Sequence, residues 1–130
     1  MKFISSLLLL LLLTSCDQWC PPVEPPTKSS LISLVTNKTI KTLKAEDQLY
    51  ACGHGSQAMY QIEMLALSFN YFKPVDVENG RRLLIKAVET YLASINEENK
   101  IHSHLGHYPF VPKDVEIRIF IETRDGSQRL

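Results

Sequence analysis

The sequence has no excess charge of either sign, few cysteines and no apolar run long enough to cross a membrane. Its 130 residues include 14 Lys and Arg against 14 Asp and Glu, so the formal net charge is zero. Proteins that hold nucleic acid by bulk electrostatics concentrate basic residues on one face, so we expect no nucleic-acid partner. Three cysteines are too few for a disulfide-built scaffold. With 45% apolar residues, the composition predicts one small globular domain with a short appendage.

The N-terminal segment has the proportions of a signal peptide. Lys2 precedes an apolar stretch over residues 3–13, which is shorter than the roughly 20 residues of a membrane-spanning helix and matches a signal-peptide core of roughly 7–15 residues. The stretch ends in Leu13-Thr14-Ser15-Cys16, a branched apolar residue, two small residues and a cysteine. These four positions resemble the lipobox of bacterial lipoproteins. The alternative is an ordinary secretory signal with an incidental cysteine.

The lipobox resemblance implies that residues 1–15 are removed and that Cys16 is the lipidation site. The Cys16 thiolate would take a diacylglyceryl group, and the new N-terminus would take a further acyl chain of the palmitate type. Two or three acyl chains anchor a protein stably, which a single chain does not. The membrane is therefore an expected partner, in a bacterial cell envelope. Asp17 resembles an inner-membrane retention signal of enteric bacteria, and the choice of membrane and leaflet stays open.

Residues 16–30 are expected to form a lipidated, proline-rich tether. Four of the seven prolines lie in this segment, at Pro21, Pro22, Pro25 and Pro26. Proline disfavours a helix and favours extended polyproline II structure. At roughly 3.1 Å per residue, such a tether holds the domain up to about 40 Å from the bilayer.

Residues 31–130 are expected to form a small α+β domain, with an antiparallel sheet and one or two helices packed on one of its faces. The clearest helix begins at Asp76, a good N-cap. The clearest strand alternates apolar and polar residues over 115–121. The turn-forming residues 124–127 leave too little chain for a returning strand, which predicts either pairing with earlier segments or a C-terminally truncated domain. The predicted elements are a helix over 31–45, a strand over 48–52 ending in a turn at 53–55, a strand over 59–72, a helix over 76–98 and a strand over 115–121.

Residues 48–123 resemble a family of exported proteins of host-associated bacteria that has no characterised activity. The resemblance rests on Gly55-Ser56, on the helix over 77–96 and on Tyr108-Pro109-Phe110 before an alternating strand. It implies the same order of elements and gives no catalytic residues to carry over. The chain departs from the family at His102-Ser103-His104, where relatives more often carry Arg-Pro.

A histidine-rich segment is the candidate metal site. His102, His104 and His107 are three of the four histidines, and their imidazoles are suitable ligands for zinc or copper, with His54 or Cys52 as a further ligand. No Cys-x-x-Cys or His-Glu-x-x-His pattern accompanies them. The alternative is a solvated loop between a helix and a strand.

Other chemistry-bearing residues are scattered. Cys52 and His54 are spaced closely enough to suggest a thiol activated by an imidazole, although they also fit a strand end followed by a turn. Cys20 and Cys52 are the two mature-chain cysteines that an oxidising compartment would allow to pair, if Cys16 is lipidated. The apolar segment 108–112 is expected to pack over the sheet edge or to serve as a docking surface.

No phosphate-binding glycine loop and no nucleophile elbow is present, which lowers the expectation of an enzyme. The sequence therefore favours a lipid-anchored envelope protein that acts as an interaction or structural module with an envelope protein partner. The alternative is a metal-binding lipoprotein that uses His102, His104 and His107. A third is an enzyme whose chemistry no known motif represents.

Overall fold

The computed structural model describes residues 20–122. The predicted signal peptide, Cys16 and the turn at residues 124–127 lie outside the described residues. Within residues 20–122, two α-helices, three strands and two short 3₁₀ helices follow one another. They are α1 (Lys28–Asp47), β1 (Tyr50–Gln57), β2 (Met64–Tyr71), α2 (Val77–Glu97), a 3₁₀ helix at Asn99–His104, a second at Pro112–Asp114, and β3 (Val115–Ile121).

The strands form one mixed sheet in the order β1-β2-β3, which confirms the α+β class. The hairpin partners β1 and β2 are antiparallel, as expected. β3 instead runs parallel to β2. The connection between them carries all of α2, and a connection of this length returns the chain to the starting end of the sheet before it enters the next strand. The expectation of a wholly antiparallel sheet was therefore wrong for this pair.

One hydrophobic core lies between the two helices and one face of the sheet. The central strand contributes alternate residues that are almost fully buried, because β2 has a neighbour on both sides and helices above it. The helices contribute positions spaced by three or four residues. The core side chains of these three elements are Leu31, Val35 and Leu43 on α1, Leu65, Leu67 and Phe69 on β2, and Ala87, Tyr91 and Ile95 on α2.

The second helix was predicted well because its signals are local. The Asp76 side chain accepts a hydrogen bond from the Asn79 backbone N–H at 2.8 Å, as expected for an N-cap. The strand over 115–121 also lies where alternation placed it. Within the described residues, neither helix combines the length and hydropathy that a membrane span requires.

The first helix begins earlier than expected. Thr27 caps it by accepting from the Ser30 backbone N–H at 3.1 Å, so residues 28–30 belong to the domain and not to the tether. The helix contains several β-branched threonines, which lower helix propensity. Thr36 and Thr39 are buried against the core and hydrogen-bonded there, so tertiary packing outweighs that preference.

The first strand passes through the residues that were expected to form a turn. Gly53 and Gly55 lie within β1, opposite Ser68 and Ala66 of β2. The chain reverses later, over residues 58–61, so β2 begins at Met64 rather than at Met59. Glycine pairs allow a turn but do not require one, and a Cβ at either glycine would lie 3.8 Å from the Cβ of the facing Ser68 or Ala66, which is an ordinary contact.

Candidate functional site

The connection from α2 to β3 is organised by the side chain of Asn96. Its amide nitrogen donates to the Phe110 carbonyl at 2.9 Å, and its amide oxygen accepts from the Phe110 backbone N–H at 2.8 Å. Phe110 is buried in the core, which confirms that part of the apolar segment 108–112 packs inward. Tyr108 of the same segment is exposed. The last turn of α2 and the loop before β3 are thus joined by two hydrogen bonds from one residue.

His102 is held by the same helix end. Its Nε2–H donates to the Asn96 carbonyl at 2.7 Å. The His102 ring also lies against the Tyr108 ring, with centroids 4.0 Å apart. This imidazole satisfies a carbonyl at the helix C-terminus, where backbone oxygens lack helical partners.

His107 is oriented by a buried carboxylate. Its Nε2–H donates to Asp114 Oδ2 at 2.7 Å, and the same oxygen accepts the Val111 backbone N–H at 2.8 Å. The Asp114 side chain is only 7% exposed, whereas that of His107 is 47% exposed. The Asp114 carboxylate thus closes the loop between residues 107 and 114, directly before β3 begins at Val115.

The structure does not bring the three predicted metal ligands together. His102 and His107 each use Nε2 for a separate partner, Asn96 and Asp114. The His104 backbone carbonyl accepts from the Ile62 N–H at 2.7 Å, which fixes the end of the 3₁₀ helix beside the start of β2. Among residues 20–122, no three His, Cys, Asp or Glu side chains are placed to share a metal ion.

The cysteine and histidine of β1 lie on an exposed edge. Every residue of this strand is exposed, and Cys52 lies at an irregularity of the ladder between Ala51 and Gly53. Cys20 and Cys52 are both free and exposed, without the disulfide that was considered for them. His54 is paired with Leu67 across the ladder. These residues therefore share an accessible strand rather than a cleft in which an imidazole activates a thiol.

The hydrogen-bonded pair that joins the two helices is structural. The Tyr91 hydroxyl and Thr36 Oγ1 share a hydrogen bond of 2.9 Å inside the core. Burial raises the pKa of Tyr91 to about 12, and the hydrogen bond with Thr36 opposes part of this effect.

At the surface, Lys86 of α2 contacts Asp47 at 2.8 Å and Glu46 at 3.0 Å, and these carboxylates raise the pKa of its ammonium group.

An open apolar surface lies between α2 and β3. A groove of about 270 Å³ is lined by Gly80, Leu83 and Leu84 of the helix and by Ile117, Ile119 and Ile121 of the strand. Leu84 is 41% exposed, and its neighbour Ile85 is 56% exposed. We call this surface the α2–β3 groove. Exposed apolar residues grouped in this way mark interaction surfaces more often than catalytic ones.

Resemblance to known proteins does not select among these features. Comparison of the chain with protein-family models, with curated proteins and with solved structures finds no match. The histidine connection, the β1 edge and the α2–β3 groove therefore have to be distinguished by geometry. The histidines of the connection are engaged in internal hydrogen bonds, and the residues of β1 are spread along an open strand. The α2–β3 groove presents apolar side chains that remain open to solvent.

Asn96 and Asp114 are the structural residues that the sequence did not reveal. Each acts on a partner far along the chain or across a loop: Asn96 on Phe110, and Asp114 on His107. A polar residue at a helix end and an acid just before a strand are weak signals, because both are common at the boundaries of elements.

Proposed function

We propose that this chain is a lipid-anchored protein of a bacterial cell envelope, and that its small α+β domain acts as an interaction or structural module. The observation that carries the proposal is the apolar stretch over residues 3–13 ending in Leu13-Thr14-Ser15-Cys16. Small side chains at Thr14 and Ser15 give a membrane peptidase access to the backbone. The Cys16 thiolate forms the thioether by attacking the glycerol carbon of a phospholipid, from which the phosphate-bearing headgroup leaves.

The start of the domain fits an anchored chain. Residues 20–27 are exposed, and the helix begins at Lys28 directly after them. A segment that buries nothing and contains four prolines separates the predicted anchor from the core. It leaves the folded domain free to meet other envelope components at a distance from the lipid headgroups.

The surface of the domain supports an interaction module more than an enzyme. The buried Asp114 carboxylate is used by His107 and by the backbone of its own loop. The α2–β3 groove instead presents branched apolar side chains to solvent. Covering this surface with another apolar surface is favourable, and it stabilises the complex by roughly 25 cal/mol per Å² of apolar area removed from water.

The test is the intact mass of the protein extracted from membranes, compared between the natural chain and two cysteine variants. We expect the natural chain to have the mass of residues 16–130 plus a diacylglyceryl group, with or without an N-acyl chain. Cys16→Ser should abolish both the added mass and the membrane fractionation. Cys20→Ser is the matched control and should keep both.

Two outcomes contradict the proposal. An unmodified product outside the membrane fraction would make Cys16 an ordinary cysteine. A lipid mass that survives Cys16→Ser and disappears in Cys20→Ser would move the anchor to another residue. If anchoring holds, loss of the protein's cellular role in Cys16→Ser, with an unchanged melting temperature of the domain, would make location a requirement of the function.

A further inference from the structure

The two edges of the sheet differ in how well they are protected against pairing with another strand. β1 carries a ladder irregularity at Cys52 and two glycines, and natural proteins use such devices to prevent edge-to-edge association. β3 is regular along its length and pairs with β2 without a break. Within residues 20–122, no strand lies on its other side.

The backbone groups of β3 that point away from β2 belong to its apolar residues. Glu122 donates its N–H to the Tyr71 carbonyl of β2 at 2.9 Å. Because backbone groups alternate in direction along a strand, the even-numbered residues bond to β2 and the odd-numbered residues face outward. The outward donors and acceptors therefore belong to Val115, Ile117, Ile119 and Ile121, three of which also line the α2–β3 groove.

The charges on β3 distinguish one way of pairing this edge with a copy of itself. Glu116 and Arg118 alternate with the isoleucines on the face away from the helices, and they contact each other within the chain. In an antiparallel pair centred on Ile117, Glu116 faces Arg118 of the second copy and Arg118 faces its Glu116. Centring on Arg118 would oppose two guanidinium groups, and centring on Ile119 would oppose Glu116 to Glu122 of the second copy.

We propose that β3 pairs antiparallel with β3 of a second copy, centred on Ile117, to give a continuous six-stranded sheet. The two-fold axis then runs perpendicular to the sheet, so the helices of both copies lie on the same face and the two α2–β3 grooves adjoin. Leu84 and the isoleucines of each copy become covered. The Glu116–Arg118 contacts fall at non-hydrogen-bonded positions, where facing side chains are closest.

The register is tested by single cysteines in the full chain, in a background of Cys20→Ser and Cys52→Ser. In the proposed pair, the two Ile117 Cα atoms are about 5.5 Å apart, within the range for a disulfide. The two Ile119 Cα atoms are four residues apart along the strands, about 13 Å, which is too far. We therefore expect Ile117→Cys to give a disulfide-linked dimer on mild oxidation, and Ile119→Cys to give none.

The charge pairs are tested by reversal. Arg118→Glu and Glu116→Arg should each cause loss of the cross-linked dimer in the Ile117→Cys chain, because each places like charges opposite one another. The double reversal restores opposite charges at both contacts and should restore the dimer. Melting temperatures show whether any variant has instead lost its fold, and a variant that unfolds is replaced by the neutral Arg118→Gln, which should weaken the dimer in part.

Three results would overturn the proposal. Cross-linking through Ile119→Cys but not Ile117→Cys would establish another register, and absence of both dimers would leave the edge unpaired. An Ile117→Cys adduct with a mass other than twice the chain would mean that a different protein covers the edge. The Cys20→Ser, Cys52→Ser chain without an added cysteine is the control. If Cys16 is not lipidated, this control forms a disulfide-linked dimer through Cys16, so failure of lipidation is distinguished from failure of the β3 pairing.

Discussion

At the residue scale, three polar side chains of the fold are held by specific hydrogen bonds to residues elsewhere in the chain. Asn96 joins a helix end to a loop, Asp114 fixes His107 and its own loop, and the Tyr91 hydroxyl binds Thr36 between the helices. The histidines suggested a metal site from spacing alone, but spacing along a chain does not fix the direction of an imidazole. That direction depends on which carbonyl or carboxylate the fold brings near, and neither Asn96 nor Asp114 could be recognised as that partner from the sequence.

Tyr91 is expected to make the domain less stable in alkaline solution. Its pKa is about 12 in the fold and about 10 in an unfolded chain. Between these values the unfolded state loses the proton first, so the free energy of unfolding falls as pH rises, by up to about 3 kcal/mol. Below pH 10 this contribution is fully present.

The measurement is urea unfolding at several pH values for the natural chain and for Tyr91→Phe. The variant should be less stable at pH 8 by about 1–3 kcal/mol, because Thr36 loses its partner, and should show a smaller decline from pH 10 to 12. The difference between the two chains removes the effect of Lys86, whose ion pairs also weaken at high pH. Identical pH slopes would contradict the assignment.

At the element scale, local signals determined what could be predicted. The cap at Asp76 and the alternation over 115–121 are written in neighbouring residues, so α2 and β3 were predicted correctly. The direction of β3 against β2 was not, because strand pairing is decided by how a distant connection crosses the sheet. The course of β1 through Gly53 and Gly55 was missed for a related reason: the residues opposite them, Ser68 and Ala66, are distant in sequence.

The two faces of β2 differ in burial because the helices cover only one face of the sheet. Leu67 is 1% exposed and faces the helices, so Leu67→Ala should lower the free energy of unfolding by about 2–5 kcal/mol through lost burial and a cavity. Ser68, the next residue, lies on the uncovered face, and Ser68→Ala should change stability by less than about 0.5 kcal/mol. Chemical denaturation of both variants tests this, and equal losses would reverse the assignment of the faces.

At the scale of the whole molecule, the described chain divides into an exposed leader, which is the described part of the predicted tether before the first helix, and a folded body. Residues 20–27 bury nothing, and the core begins with Leu31 on the first helix. The sequence predicted an extended segment here, because Pro21, Pro22, Pro25 and Pro26 disfavour a helix interior. The boundary itself was placed three residues too late, since Lys28, Ser29 and Ser30 carry no apolar side chain to mark the helix.

Shortening the leader should therefore leave the fold intact. Deletion of residues 21–25 keeps Thr27 as the helix cap and removes only exposed residues, so the melting temperature should stay the same. If the chain is anchored at Cys16, the domain should move closer to the membrane, and a fluorophore on the exposed Cys52 in a Cys20→Ser chain would report this as increased energy transfer to labelled lipid. A lowered melting temperature would show that the leader contributes to the core.

The first residue of α1 also determines how the domain would respond to a mechanical load. Lys28 directs its ammonium group to the backbone carbonyls of Ala58, Met59 and Tyr60 at the tip of the β1–β2 hairpin. A pulling force applied through the leader therefore acts on the helix and on the hairpin together. The first helical turn does not have to resist it alone, and the body is expected to yield as one unit rather than to unwind from its N-terminus.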